Sequence, residues 1–319
     1  MSQYLVMDIG GTFVKYALMD ENGKILEQDK IPSVRDSQEA FFASLDPVFD
    51  QYRGKIEGCA VSMPGRIDTE NGIAVTAGAF SRALQGCPVA QIIGEKLGVP
   101  VTIGNDGKCA AAAEAWDGAL KDVPHGIVLV FGTGIGGGVV IDHKVHMGAH
   151  FSAGELSRFI FDGQMMADGY EERGKPLVLG TENPWWRSTC SARSLLRGYS
   201  MAKGLPADQV ISGEEFFEAV RNGEELANEH LHKMAYNAAI VILSMMSLID
   251  VNAIAIGGGI SAAPELVPAI KDAVDELWGK QSELLPVIKP EIVRCVYGND
   301  ANLKGALKLF LDQRKGEKK

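Results

Sequence analysis

Three glycine-rich turns, each directly after a short apolar run, supply backbone geometry suited to phosphate binding. They are Asp8-Ile-Gly-Gly-Thr12, Gly132-Thr-Gly-Ile-Gly-Gly-Gly138 and Gly257-Gly-Gly259. Glycine lets backbone amides approach a phosphate closely and donate hydrogen bonds to it. The second turn has five glycines in seven positions, more than a hairpin needs, which favours a backbone pressed against a ligand. It is neither a Walker A loop nor a dinucleotide fingerprint, because no Gly-Lys-Ser/Thr ends it and a predicted strand follows.

The first turn offers several groups to a nucleotide. The amides of Gly10 and Gly11 and the Thr12 hydroxyl could donate to phosphate. Asp8 would face the metal that accompanies a nucleotide, and Lys15 could reach a phosphate. A plain hairpin turn is an equally good interpretation of this segment taken alone.

The third turn closes a strand and precedes a helix, so Gly258 and Gly259 could wall a nucleoside pocket. A simple strand-to-helix turn explains the same residues. Asn105-Asp106 also lies between a strand end and a helix start. Both residue types are favoured helix caps, but a carboxylate there could also orient a hydroxyl and take its proton during phosphoryl transfer.

Two further segments could contact a sugar. Glu155 ends the small-residue segment 148–155 and could accept hydrogen bonds from hydroxyl groups, although an exposed loop glutamate is the alternative. Trp185-Trp186 could stack on a sugar face, although a core or interface role is more common.

The elements that would position these residues occur twice along the chain. A strand, a glycine-rich turn, a strand, a second turn and another strand begin near Tyr4 and again near Ile127. This layout predicts a duplicated α/β architecture. Helices are predicted near 37–52, with Ser37 as N-cap, at 227–249, at 264–278 and at 302–311. The last residues, from Arg314, are expected to be a frayed, solvated tail.

Composition excludes several classes of protein. The chain has 319 residues, 46% hydrophobic and 23% charged, which is typical of globular proteins of one large or two medium domains. The formal net charge of −10 argues against a general nucleic-acid or anionic-membrane binder. No apolar run reaches about 18 residues, so the sequence predicts no membrane-spanning helix. The five cysteines form no Cys-x-x-Cys pair and indicate reduced thiols in a cytoplasmic protein.

In their joint order, these segments resemble the ROK family of bacterial sugar kinases and repressors, from Asp8 to about Leu311. The quoted turns are joined in this resemblance by Ser62-Met-Pro-Gly65 with Asp68, Glu114, Ala153-Gly-Glu155 and Gly298-Asn-Asp-Ala-Asn-Leu-Lys-Gly-Ala306. The resemblance implies two ribonuclease-H-like lobes of the actin-like ATPase fold, with a nucleotide and sugar cleft between them. We place the lobe boundary near residue 120, with lobes at 1–120 and 121–300, the helix 301–313 returning to the first lobe and a disordered tail at 314–319.

The same resemblance implies roles for individual residues. Asp8, Gly10, Gly11, Thr12 and Lys15 would form the first phosphate loop. The second loop would contain Gly132, Thr133, Gly134, Gly136, Gly137 and Gly138, while Gly258 and Gly259 would lie by the nucleoside. Gly65, Asn105, Asp106 and Glu155 would contact the sugar, with Asp106 as the general base. The cofactors would be ATP and Mg²⁺, the metal reached through water from Asp8.

The sequence departs from the family pattern where the family binds zinc. Arg158 stands where family members carry a histidine that contacts sugar and zinc, and no cysteine lies between Cys109 and Cys190. The second sugar-binding glutamate is also missing, with Arg187 or a neighbour near its place. Structural zinc is therefore not expected. Such members resemble the bacterial β-glucoside kinases, and Arg158 would border a site opened for an aglycone.

Three functions follow from the resemblance. The leading hypothesis is an ATP-dependent kinase of the 6-hydroxyl of glucose or a β-glucoside such as cellobiose. Glucokinase, N-acetylmannosamine kinase and fructose kinase are alternatives within the family, and a non-catalytic sugar sensor is another. A repressor would carry a helix-turn-helix before the first phosphate loop, where only seven residues stand. A homodimer without nucleic-acid or membrane partners is expected.

Overall fold

The computed structural model describes residues 2–160, 187–206, 208–280 and 287–317. It contains two five-stranded sheets whose strands follow the same order. The first sheet runs β3-β2-β1-β4-β7 and is built from β1 (Gln3–Ile9), β2 (Phe13–Asp20), β3 (Ile25–Pro32), β4 (Gly58–Met63) and β7 (Val101–Asn105). The second runs β10-β9-β8-β11-β12, from β8 (Gly126–Phe131), β9 (Ile135–Ile141), β10 (Lys144–Val145), β11 (Ala253–Gly257) and β12 (Glu291–Arg294). The duplicated α/β architecture is confirmed.

Burial explains the order of strands in the first sheet. Strands β1 and β4 are apolar almost throughout and lie at the centre, whereas the polar strand β3 is exposed at one edge. Strand β1 pairs antiparallel with β2 and parallel with β4, and β4 pairs parallel with β7. The carboxyl ends of three parallel strands therefore meet at one edge of this sheet. A small pair, β5 (Ile67–Asp68) and β6 (Ile73–Ala74), follows β4.

Ten α-helices lie in the described residues. They are α1 (Gln38–Tyr52), α2 (Ser81–Leu84), α3 (Val89–Leu97), α4 (Asp106–Asp117), α5 (Arg187–Cys190), α6 (Ala192–Ala202), α7 (Gly213–Arg221), α8 (Glu225–Ile249), α9 (Leu266–Gly279) and α10 (Ala301–Glu317). As predicted, Ser37 caps α1 by accepting a hydrogen bond from the Ala40 N–H. Helix α10 continues to Glu317, beyond the predicted end at 311 and into the segment expected to be a tail, and its own residues Leu307 and Phe310 are buried.

Residue contacts divide the chain into two units. The first comprises Met1–Asp122, Gly138–Gly154 and Asn299–Lys319, and the second comprises Val123–Gly137 and Glu155–Gly298. The first cut lies close to the boundary placed at 120. Segment 138–154, however, belongs to the first unit instead of the second, because Val145 and Met147 pack against the hydrophobic cluster beneath α4 and α10.

Helix α10 packs on α4 and on strands β1, β4 and β7 of the first unit. The two helices approach closely because small residues face each other where they cross. A Cβ on Gly305 would overlap the carbonyl group of Cys109, and the neighbouring residues of α4 are Ala110 to Ala113. This close approach brings the first turn of α10 beside the carboxyl end of β1.

Helix α8 of the second unit has the length and apolar composition of a membrane span. Its sequence nevertheless contains Glu229, His230 and Lys233 near the start, and ten of its 25 residues are buried in the fold. It also packs along α9. Core helices pass the same test of length and composition, so the helix is weak support for a membrane location.

Candidate functional site

Three polar residues lie side by side where the parallel strands of the first sheet end. Asp8 on β1 pairs in register with Ser62 on β4, and the next position of β4 pairs with Asn105 at the end of β7. Ligands of open α/β sheets bind outside the carboxyl ends of the strands. The register of the sheet therefore gathers the predicted residues Asp8 and Asn105 at the edge where a ligand is expected.

Asp8 is a buried carboxylate with two hydrogen-bond donors. Ser62 Oγ donates to Asp8 Oδ1 at 2.9 Å, and Asn302 Nδ2 donates to the same oxygen at 3.1 Å. Burial raises the pKa of Asp8, while the two donors and the charge of Lys15 oppose that shift. Ser62 belongs to a matched family segment but was given no role in the sequence analysis, and neither was Asn302.

The first glycine turn is a tight hairpin between β1 and β2. The Gly10 N–H donates to the Phe13 carbonyl at 3.0 Å, while Gly11 and Thr12 are exposed. Lys15 lies opposite Asp8 on β2, and its Nζ donates to the Asn299 carbonyl at 3.4 Å. The segment is therefore a hairpin turn, as one of the two interpretations predicted. Its exposed residues, Gly11 and Thr12, could still bind phosphate, as the other interpretation predicted.

Asn105 joins two loops at this edge. Its side chain caps α4 by accepting from the Lys108 N–H at 3.1 Å, and its Nδ2 donates to the Gly65 carbonyl at 2.9 Å. Gly65 has a φ of +109°, and a Cβ there would overlap the Thr76 carbonyl. Only glycine fits this turn without strain. The capping role and a substrate-facing position are therefore compatible.

Asp106 is the first residue of α4 and is only partly exposed. Its Oδ1 accepts hydrogen bonds from Asn105 Nδ2 at 3.0 Å and from the Gly107 N–H at 2.8 Å. These two donors hold the carboxylate in a defined orientation at the start of the helix. An oriented carboxylate has the chemistry that a general base requires.

The second glycine-rich segment is a shorter turn than the sequence suggested. Strand β9 begins at Ile135, so Gly136, Gly137 and Gly138 lie within the strand. A Cβ on Gly137 would overlap the Val128 carbonyl, and one on Gly138 would come within 2.7 Å of the Ala111 Cβ. Packing therefore requires these two glycines. The remaining turn, Gly132–Gly134, closes with a hydrogen bond from the Gly132 N–H to the Gly134 carbonyl at 2.9 Å.

The third turn borders a cavity inside the second unit. Gly258 has a φ of +93°, and a Cβ there would overlap the Phe131 carbonyl. Gly259 has open space where a Cβ would lie, and it lines the cavity together with Gly132. The cavity has a volume of about 490 Å³, within the usual range for a small-molecule site. Two of the glycines predicted for the nucleotide thus border one cavity.

The rest of the cavity lining comes from residues that the sequence analysis did not single out. They are Phe131, Ala192, Leu196, Gly213, Glu214, Phe217, Arg221, Ile260, Ala262, Ala263 and Pro264. Most are small or apolar and look like ordinary core residues in the sequence. One local signal was present: Ser212 and Glu215 form a capping box that marks the start of α7. Helix α7 carries four of the lining residues.

Glu155 and Arg158 lie at the two ends of a single 3-10 turn. The turn spans Leu156–Arg158, and the Arg158 N–H donates to the Glu155 carbonyl at 3.1 Å. Arg158 is exposed. Trp185-Trp186 and the side chain of Arg187 lie outside the described part of the structure.

Metal ligands are not clustered in the described residues. No group of three or more His, Cys, Asp or Glu side chains in that part could hold a metal ion. The first unit does offer an oxygen donor for the Mg²⁺ of a nucleotide, since Asp8 presents a carboxylate at the strand edge and Mg²⁺ is commonly bound through one or two carboxylates together with phosphate oxygens. The absence of zinc stays a prediction.

Comparison with known proteins gives long, full-coverage matches. The curated N-acetyl-D-glucosamine kinase of Escherichia coli O139:H28 is 26% identical, over 97% of this chain and 99% of its own length. A ROK family protein from Streptococcus pneumoniae TIGR4, crystallised with sucrose, is 27% identical with a TM-score of 0.82, over 98% of this chain and 99% of its own. The ROK hexokinase of Thermus thermophilus shares the fold at 24% identity and a TM-score of 0.78, covering 98% and 100%.

The family model described as ROK family matches residues 4–313. That range includes nearly all of both sheets, the three glycine-rich turns and most of α10. The resemblance inferred from the order of motifs is therefore confirmed, and so is the fold that it implied. This chain belongs to the ROK family and has the actin-like ATPase fold of that family.

Proposed function

We propose that this protein, which is an ATP-dependent sugar kinase, transfers the γ-phosphate of ATP to the 6-hydroxyl of glucose or of a β-glucoside such as cellobiose. The observation that carries the proposal is the carboxylate of Asp106, held by Asn105 Nδ2 and the Gly107 N–H at the start of α4. Phosphoryl transfer to an alcohol needs such a group near the attacking oxygen. We assign Asp106 as the general base.

In the proposed reaction, the 6-hydroxyl oxygen of the sugar attacks the γ-phosphorus of ATP. The new O–P bond forms as the bond between the γ-phosphorus and the β–γ bridging oxygen breaks. Asp106 accepts the hydroxyl proton, and ADP leaves with the bridging oxygen. Mg²⁺, when bound with the nucleotide, would neutralise phosphate charge, and we assign Asp8 to face it through water.

The cavity of the second unit supports a nucleoside site. It is lined mainly by apolar groups, including Phe217 and Ile260, and by the glycines Gly132 and Gly259. An apolar wall suits a planar base, and glycine backbones allow the close approach of ribose and phosphate. We assign the nucleoside to this cavity and the phosphates to the turns at Gly10–Thr12 and Gly132–Gly134.

The choice of a β-glucoside rests on Arg158. We assign sugar hydroxyl contacts to Gly65, Asn105 and Glu155. By the family resemblance Arg158 stands at the position of the histidine, and its side chain is exposed. A side chain free to turn toward solvent would leave space for a second sugar ring beside the anomeric carbon. This supports a substrate that carries an aglycone.

A free hexose or an amino sugar is the second candidate. The E. coli relative that matches across the whole chain is named an N-acetyl-D-glucosamine kinase, which favours an N-acetylated hexose over fructose. A non-catalytic sensor is the third candidate, although both carboxylates, Asp8 and Asp106, and the glycine turns are present. Turnover itself separates the sensor from the kinases.

One assay distinguishes these candidates. ADP release would be measured with ATP and Mg²⁺ against glucose, cellobiose, gentiobiose, N-acetylglucosamine, N-acetylmannosamine, fructose and allose. The proposal expects kcat/KM for a β-linked disaccharide to equal or exceed that for glucose. Turnover of a single free monosaccharide would replace the β-glucoside assignment, and sugar binding without ADP release would indicate the sensor.

Several properties remain predictions of the same proposal. We expect a cytoplasmic homodimer that requires Mg²⁺, contains no zinc and binds no nucleic acid. Zinc needs about four Cys or His ligands at suitable spacing, which this sequence does not arrange. Elemental analysis of the purified protein tests this expectation, and a stoichiometric content of zinc would refute it.

A further inference from the structure

Asp8 is held by two residues that lie far apart in the chain. Ser62, on the neighbouring strand β4, and Asn302, in the first turn of α10, donate to it. Asn302 follows Asp8 by 294 positions, yet its amide lies 3.1 Å from the carboxylate. The C-terminal helix therefore contributes a side chain directly to the edge where the nucleotide's metal is expected.

Both donors bind the same oxygen atom. Ser62 Oγ and Asn302 Nδ2 point at Oδ1, whereas Oδ2 accepts no hydrogen bond from the described residues. In the described part of the chain, Glu265 Oε2 is the only side-chain oxygen or nitrogen that is both fully buried and without a hydrogen-bond partner. Asp8 Oδ2 has no such partner either, so it must be accessible to solvent. Two donors on one oxygen fix the rotation of a carboxylate and leave its other oxygen to face outward.

We propose that Asn302 is a positioning residue for the Mg²⁺-nucleotide site, acting through Asp8. With Ser62, it holds Asp8 so that Oδ2 faces the metal of the bound nucleotide. The inference rests on the proposed function, because it assigns Asp8 to that metal. Hydrogen bonds to an ionised carboxylate are about twice as strong as neutral ones, so loss of one donor should loosen the orientation of Asp8.

The same helix offers a matched control. Gln313, near the other end of α10, accepts a hydrogen bond from Thr102 Oγ1 of β7 at 2.5 Å. Like Asn302, it ties α10 to the first sheet through one side-chain hydrogen bond. It lies away from Asp8, so Gln313→Ala removes an anchor of similar kind without changing the carboxylate. A purely structural role of Asn302 predicts that the two variants behave alike.

The test measures metal binding directly, apart from catalysis. Mn²⁺ binding in the presence of ADP is followed by electron paramagnetic resonance for the wild type, Asn302→Ala and Gln313→Ala, with thermal unfolding recorded for each. We expect Asn302→Ala to weaken ADP-dependent Mn²⁺ binding about tenfold, the scale of one charged hydrogen bond. Gln313→Ala should leave it unchanged. Equal Mn²⁺ affinities in Asn302→Ala and the wild type would overturn the proposal, as would equal losses in both variants.

Ser62→Ala keeps the proposal testable if Asn302→Ala does not fold. It removes the other donor from Oδ1 without altering α10, and we expect a loss in the same direction. Unchanged Mn²⁺ binding in Ser62→Ala would also contradict the proposal. A wild type that binds no Mn²⁺ with ADP would instead refute the proposed Mg²⁺-ATP kinase itself, so the two failures are distinguishable.

Discussion

The polar edge of the first unit and the cavity of the second are built by opposite means. The polar edge, formed by Asp8, Ser62, Asn105, Asp106 and Asn302, consists of side chains that hold each other through hydrogen bonds of 2.9–3.1 Å. The cavity is shaped by glycine backbones and by small or apolar side chains. The polar edge depends on which side chains are present. The cavity depends on positions where side-chain atoms are few or absent.

The difference predicts how each region responds to substitution. At the polar edge, exchange of one oxygen for nitrogen leaves the packing intact and removes the chemistry. Around the cavity, addition of a few carbon atoms removes binding space and leaves the chemistry intact. Exchange of the proposed base, Asp106, should therefore change kcat, and variants around the cavity should change KM for ATP.

The largest effect is expected for Asp106→Asn. An amide oxygen can still accept from Asn105 and Gly107, so the fold and ATP binding should remain, while kcat falls by about 10²–10⁴-fold because no base takes the hydroxyl proton. The control is Asp117→Asn, the same exchange at the last residue of α4. Steady-state kinetics of both variants test this, and a near-normal kcat for Asp106→Asn would remove it from the mechanism.

Two adjacent glycines sharpen the comparison at the cavity. Gly259 lines the cavity with open space at its Cβ position, so Gly259→Val should occupy part of the nucleoside site. We expect KM for ATP to rise by about 10–100-fold, with KM for the sugar unchanged, since the excluded volume affects only the nucleotide. Substrate-saturation curves for each substrate measure this split.

The control at this site is Gly258→Ala. Its backbone has a φ of +93°, and the added methyl group would overlap the Phe131 carbonyl. We expect loss of thermal stability in this variant and not a selective change in KM. If Gly259→Val raised KM for the sugar equally, the cavity would not be the separate nucleoside site proposed here. A Gly258→Ala variant as stable as the wild type would instead contradict the requirement for glycine at that position.

A smaller effect is expected for Arg158→His, which restores the residue type usual in the family. The ratio of kcat/KM for cellobiose to that for glucose should fall by at most about 10–100-fold, because one polar contact is worth roughly 1–3 kcal/mol. The overall rate with glucose should change little. An unchanged ratio, in an enzyme that phosphorylates only a free monosaccharide, would contradict the β-glucoside assignment.

The sequence allowed the polar edge to be predicted better than the cavity, for a physical reason. Asp8, Asn105 and Asp106 are polar residues at the ends of apolar runs, an unusual position that indicates function. Alanine, leucine and proline around the cavity match core residues, so only the folded chain identifies Leu196 or Pro264 as lining a site. The contact of Asn302 with Asp8 depends on the path of α10, which no local pattern specifies.

The same reasoning explains two errors in the predicted secondary structure. The predicted turn Gly132–Gly138 was too long because glycine usually disfavours strands, whereas here close neighbours, Val128 and Ala111, require it within β9. The edge strand β12 was missed because four residues, only one of them buried, give no clear alternation. In both cases tertiary packing, and not local propensity, determines the secondary structure.

The smallest effect concerns Asp117, at the far end of α4 from the polar edge. Hydrogen bonds from Lys121 and Lys304, at 3.0 and 3.2 Å, and their charges lower the pKa of Asp117 to about 2. Its pKa in the unfolded chain is about 3.9. The stabilising contribution is therefore fully present above about pH 4–5 and is lost as the pH falls toward 2.

For Asp117→Asn we therefore expect a fall in Tm of only about 1–2 °C at pH 7, because the Asp117 side chain is half-exposed and surface ion pairs contribute little. The difference from the wild type should shrink as the pH is lowered from 5 to 3, and also in 1 M salt, which screens the pairs. Thermal unfolding across that range measures it. A Tm difference independent of pH and salt would mean that Asp117 stabilises α4 by packing instead of charge. A lower kcat at pH 7 would mean that the two ends of α4 are not independent, so Asp117→Asn could not serve as the control for Asp106.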